Sequence, residues 1–281
     1  MRIALCFSGT IGRLYTSKSG HAWEKDIDYR IGHHFYDKNV FSVNDNVDVF
    51  IHSWATDYED RLVEIYNPKK SKFEEQIVFG GHKDMAGWEK SASRWYGAQQ
   101  SIKLKKQYEE ENNFKYDVVM WTRFDMGFFE KLDFSEIGDY SNMYVPDNNN
   151  PSTMKSDNPR ILDYWYFSSS ENMDIIGDLY DWGNKKGFGS PHSDIYQWPT
   201  MNNIQVFQWS KFQESWKGNG NTDLIRAIFD NCEYNENGFV GEKNLKMLTK
   251  YPKGSRFSVS YTHLRAHETP EHLVCRLLLE K

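Results

Sequence analysis

Cysteine is scarce: Cys6, Cys232 and Cys275 are the only three, and their spacing is neither paired nor metal-like. That excludes a disulfide scaffold and fits a reducing, cytoplasmic compartment. Long apolar runs are missing too. No segment reaches the roughly 20 apolar residues of a membrane span, so no transmembrane segment is expected. The apolar run at the N-terminus covers only Ile3 to Phe7, too short for the core of a signal peptide, and reads as a first strand. Basic charge is not in excess: 34 Lys and Arg stand against 40 Asp and Glu, a formal net charge of −6. This weighs against a protein that coats nucleic acid, whose affinity comes from a basic surface. Aromatic residues, in contrast, are plentiful, with 10 Trp, 17 Tyr and 18 Phe. Most rings fill cores, and some are available to stack on sugars or bases.

The pattern along the chain alternates strand and helix. Arg2 to Ser8 is an apolar strand that runs into the turn Gly9-Thr10-Ile11-Gly12-Arg13. A weakly periodic helix is expected over Ala22 to Phe35, and a second strand over Val47 to Trp54. Arg61 to Tyr66 reads as a short helix ended by Asn67-Pro68, and Phe73 to Phe79 as a weaker strand. The best helix spans Gly87 to Glu111. Next comes the stretch Tyr116 to Phe129. Beyond it, Leu162 to Ser168 reads as a strand and Glu171 to Trp182 as a helix. Gly183 to Pro199 is punctuated by Gly and Pro and reads as a surface loop. Further helices are expected over Asn221 to Asn231 and Glu242 to Leu248. With no internal repeat, this order implies one α/β domain with a mostly parallel central sheet flanked by helices.

The chemistry concentrates after the strand Val118-Val-Met-Trp121, which has no polar alternation and so is buried on both faces. It ends in Arg123 and Asp125. In open α/β sheets the carboxyl ends of strands bind ligands. A carboxylate there can hold Mg²⁺ or Mn²⁺ on a phosphate, and a guanidinium can pair with phosphate or with a neighbouring acid. Two readings follow: Asp125 as a catalytic and metal-holding acid beside Arg123, or Arg123 and Asp125 as a structural ion pair. The usual metal pattern is Asp-x-Asp, and Arg123 removes one ligand from it.

Other candidates are weaker. The amides of Gly9 and Thr10 can cradle a nucleotide, and Arg13 can pair with a diphosphate. The dinucleotide motif fails, because Phe7 stands where its first glycine belongs. His52 and Trp54 close the second strand; each offers a substrate contact or a core group. Gln99, Gln100 and Lys103 offer polar groups from the long helix, or simply a solvated face. Asp163 is a candidate acceptor-side base, with His192 and Asp194 in the loop after it.

Four segments in order carry a resemblance: Ala4-Leu-Cys-Phe-Ser-Gly-Thr-Ile-Gly-Arg13, Val47-Asp-Val-Phe-Ile-His-Ser-Trp54, Trp95-Tyr-Gly-Ala-Gln-Gln100, and Tyr116-Asp-Val-Val to Arg123-Phe-Asp125. They resemble GT-A-type glycosyltransferases of bacterial polysaccharide loci, phages and large viruses, over roughly residues 1 to 180. The resemblance implies a GT-A-like (Rossmann-like) fold, a nucleotide-sugar donor and a glycan or other acceptor. It places Gly9, Thr10 and Arg13 on the nucleotide, and Asp125 in the place of the metal-binding acid. The main expectation is therefore glycosyl transfer. The alternative is a non-catalytic nucleotide- or sugar-binding protein that keeps the fold. A phosphoaspartyl phosphatase fits poorly, because Gly127 stands where its second acid belongs. From about Val259 to Lys281 the chain resembles the translation of a sequencing adapter. The expected domain is therefore 1–258, followed by a non-native tail whose His263, His267, His272 and Cys275 are set aside.

Overall fold

A computed structural model describes residues 1–15, 23–79, 88–148, 159–213 and 221–243. The adapter-like tail lies outside the described residues, as does most of the helix expected over Glu242 to Leu248. The described chain is mixed α/β, built on a seven-stranded, mostly parallel sheet.

The central strands are β1 (Ile3–Gly9), β4 (Val47–Ser53) and β6 (Val118–Thr122). Each is predominantly apolar, and β1 pairs in parallel with both of the others. β5 (Lys70–Phe73) joins parallel to β4. On the other side β9 (Tyr166–Ser168) runs antiparallel to β6 and to β8 (Met143–Asp147). β10 (Val206–Gln213) then pairs in parallel with β8 at the edge.

Both faces of the sheet are covered, as the lack of polar alternation demands. Ile3, Leu5 and Phe7 point into one core with Val49, Ile51, Val118 and Met120. Ala4 and Cys6 point into the other with Phe50, Val119 and Trp121. The first core is closed by α1 (Tyr29–Asn39) and α2 (Glu59–Tyr66), the second by α3 (Trp88–Asn112), α4 (Ser170–Gly177), α5 (Leu179–Lys186) and α6 (Pro191–Met201). α3 lays Ala92, Trp95, Ala98 and Ile102 against the sheet, at helical spacing. Near its far end Lys105 is buried and satisfied, bonding Glu109 at 3.1 Å and both Ser170 and Asp174 at 2.7 Å.

Four expectations need correction. Residues 23–26 form a strand, β3 (Trp23–Asp26), paired with β2 (Arg13–Tyr15). The helix starts only at Tyr29, where the Asp28 carboxylate accepts from the Arg30 amide at 3.0 Å. The third parallel strand is Lys70–Phe73, and the stretch after Phe73 leaves the sheet. Residues 191–201 are helical because Pro191 sits at the first helical position, where its missing N–H costs nothing. Pro199 comes only near the helix end.

The fourth correction is the expected helix 221–231, which instead divides into three short elements. β11 (Thr222–Leu224) pairs antiparallel with β7 (Met126–Phe128), and α7 (Ile225–Ile228) is a single turn. β12 (Phe229–Asn235) then forms a hairpin with β13 (Gly238–Lys243). Pairing with β7 and burial of Ile225, Ile228 and Phe229 against Ile31 and Phe35 override the local helical spacing.

α1 lies directly on the segment after β6. A methyl group added at Gly32 would sit 1.8 Å from the Phe124 carbonyl oxygen. Gly32→Ala is therefore expected to lower unfolding stability by roughly 3 kcal/mol through overpacking. Urea titration checks this: the midpoint should fall with the slope unchanged.

Candidate functional site

The carboxyl ends of β1, β4 and β6 open onto a cavity of about 570 Å³. β1 ends at Gly9, whose φ of 105° turns the chain away from the sheet. The Gly9 carbonyl is held by Ser53 Oγ at 2.8 Å and by the Trp54 amide at 3.2 Å, which ties the ends of β1 and β4 together. The Arg123 carbonyl, just beyond β6, accepts from Tyr36 Oη at 2.7 Å. The cavity is lined by Gly9, Thr10, Arg13, Trp54 and Arg123, five of the residues expected from the sequence. Ser8, Trp121 and the segment 76–79 add to the wall, and α3 contributes Glu89, Lys90, Ser93 and Arg94. Arg226, from α7, completes it.

Arg123 and Asp125 are paired. Nε donates to Oδ1 at 2.8 Å and Nη2 to Oδ2 at 2.9 Å, and Arg226 Nη1 stands 3.5 Å from Oδ2. Asp125 has no exposed surface, and Gly12 lies so close that an added methyl would be 2.6 Å from its Cβ. Burial alone would raise the Asp125 carboxyl. The charge and paired hydrogen bonds of Arg123, with the charge of Arg226, outweigh it and hold the group below the usual carboxylate range. The same pairing raises Arg123 against the desolvation that would lower it. Arg226 arrives by a backbone contact, since the Ile225 amide donates to the Asp125 carbonyl at 2.9 Å.

This donor set does not fit Mg²⁺ or Mn²⁺ on Asp125, because both of its oxygens face guanidinium groups and none faces the cavity. Among the described residues no three His, Cys, Asp or Glu side chains are grouped to hold a metal ion. Arg123 and Asp125 thus form an ion pair, with the Arg123 side of it on the cavity wall. Asp163 is likewise no exposed base: it is buried, ion-paired to Arg94, and 3.3 Å from His192 Nδ1. His192 Nδ1 also lies 2.9 Å from the Ile161 carbonyl. Asp194 is buried in α6 and accepts from the Gly189 amide.

His52 sits beneath the cavity. It is wholly buried, its Nε2 2.8 Å from Glu74 Oε1 and its ring edge-on to Trp54. Trp54 stacks on Tyr96 with centroids 5.6 Å apart and planes 16° apart. Gln99 is buried and donates to Asp181, and Gln100 accepts from Lys72; neither lines the cavity. The sequence reading missed Arg94 and Arg226. Arg94 carries no usable signal, because a cation in the second turn of a helix lies beyond the reach of the helix dipole. Arg226 carries none, because only the β7–β11 pairing brings it here.

No protein-family model and no curated protein sequence matches the chain. Among solved structures, a glycosyltransferase involved in the glycosylation of the major capsid of PBCV-1 is similar at 11% identity. The match covers 77% of this chain and 83% of that one, with a TM-score of 0.36. Among the described residues no helix is long and apolar enough to cross a membrane.

Burial lowers the proton affinity of His52 more than its bond to Glu74 raises it, and burial also lowers His33 and His34. Unfolded histidine takes up its proton near pH 6.5, the folded residues only at lower pH. In that window the unfolded chain binds more protons, so stability is complete above about pH 6.5 and falls on acidification. Thermal midpoints measured from about pH 8 down to 5.5 should decline; a midpoint constant across the range would contradict it.

Proposed function

We propose that the protein transfers a glycosyl group from a nucleotide-diphospho-sugar to a saccharide or other acceptor. The observation that carries this reading is the convergence of Arg13, Arg94, Arg123 and Arg226 on one cavity whose wall also holds Trp54, Phe79 and Trp121. Guanidinium forks match the geometry of phosphate oxygens, and aromatic rings offer faces to a base or sugar. The cavity sits at the strand ends where α/β sheets take nucleotides, and the four ordered sequence segments point to the same class of donor.

In such a transfer the bond from the anomeric carbon to the diphosphate oxygen breaks, and its electron pair leaves with the nucleoside diphosphate. The acceptor oxygen bonds to the anomeric carbon, and its proton passes to the departing diphosphate or to solvent. Catalysis then consists largely of stabilising the departing charge and positioning the acceptor. The arginines supply the positive charge. Asp125 acts behind them by holding the Arg123 fork in place.

A panel of nucleotide sugars, with acceptors and Mn²⁺ or Mg²⁺ supplied, should show release of nucleoside diphosphate from at least one donor. Donor binding without release throughout would favour a non-catalytic nucleotide- or sugar-binding protein. Asp125→Asn should cost about 3 kcal/mol of stability by breaking a buried, doubly bonded ion pair. It should also lower turnover, because Arg123 loses its anchor. Calorimetric unfolding together with the release assay checks both effects.

A further inference from the structure

The donor set at the end of β6 bears on how a diphosphate would be held. A divalent cation seated on Asp125 would have to break the paired contacts from Arg123 at 2.8 and 2.9 Å and sit between like charges. Asp163, behind the lining residue Arg94, is buried and already ion-paired to it. Glu89 is the one carboxylate on the wall among the described residues, and it shares that wall with Lys90 and four arginines.

The four guanidinium groups come from four separate parts of the fold: the start of β2, the second turn of α3, the end of β6, and α7. A guanidinium carries five N–H donors in a fork, and the Asp125 contact uses two of those on Arg123. Burial and the positive charge of Arg123 together lower the proton affinity of Arg94, to about 9.

We infer that this cavity binds a pyrophosphate-type anion through arginine side chains alone, with no divalent cation bridging ligand and protein. The inference rests on reading the cavity as the donor site, and it replaces a metal ion on Asp125 with Arg13, Arg94, Arg123 and Arg226. The guanidinium groups neutralise the charge that the leaving diphosphate develops, the task a divalent cation would otherwise perform.

Calorimetric titration of the full chain with inorganic pyrophosphate tests it, in excess EDTA and then in Mg²⁺. Binding is expected in EDTA, with no gain in affinity from Mg²⁺. Arg226→Gln should weaken it about tenfold or more, as the loss of a charge-assisted contact does. Arg13→Gln is a second variant; Arg13 is half exposed and paired to Asp26 at the surface, so its removal leaves the core intact. It should also weaken binding with an unchanged melting temperature. Binding that requires Mg²⁺, no binding in either condition, or full affinity in both variants would overturn the inference. Sugar-nucleotide turnover that depends strictly on metal would overturn it as well, yet leave the proposed transfer standing. Metal-free pyrophosphate binding without turnover would do the reverse.

Discussion

The buried Asp125 carboxylate organises everything around the cavity. It grips Arg123 with both oxygens, sits close to Arg226, and has Gly12 packed against its side chain. Its own carbonyl accepts the Ile225 amide, and the preceding Phe124 carbonyl lies against Gly32 of α1. Three segments far apart in sequence, the turn after β1, the first helix and the β11–α7 corner, therefore meet at one residue. A charge buried this deeply is stable only while its partners stay in place. The floor of the cavity and the local fold are thus one construction.

The central sheet makes that construction possible. β1, β4 and β6 are parallel and in register, so their carboxyl ends come level, with Ser8 beside His52 and Phe7 beside Thr122. Both faces are covered, leaving the strand ends as the open place where polar groups can gather. Trp54, stacked on Tyr96 and edge-on to His52, continues the second core up to the cavity wall. One side of the wall is therefore aromatic, while arginines held by acids line the rest.

Much of this was legible in the sequence, for physical reasons. β1, β4 and β6 announce themselves as predominantly apolar segments, and α3 by its length and the spacing of Ala92, Trp95, Ala98 and Ile102. Gly9, Thr10, Arg13, Trp54 and Arg123 were legible because they follow those strands directly. Elements decided by distant partners were not. The β2–β3 pair, the helix opened by Pro191 and the strand at 222–224 each depend on contacts that local spacing does not encode. The same holds for Arg94 and Arg226. Locally Arg94 follows Ser93 in a helix and Arg226 follows Ile225 in a single turn, and only the packing of α3 and the β7–β11 pairing turn them toward the cavity. Asp163 and Gln99 show the converse: chosen for their polarity, they are spent on Arg94 and Asp181 inside the molecule.

The short β11–α7 corner also bears on the order of assembly. Arg226 lies about a hundred residues after Asp125, and the loop between them must close before the two can meet, at an entropic cost that local helices do not carry. The sheet strands β1, β4 and β6 are all synthesised before residue 123. A chain emerging from the ribosome can therefore build most of its parallel sheet while the carboxylate at the end of β6 has Arg123 but not yet Arg226 beside it. The cavity wall becomes complete only when the corner docks against β7 and brings Arg226 to it.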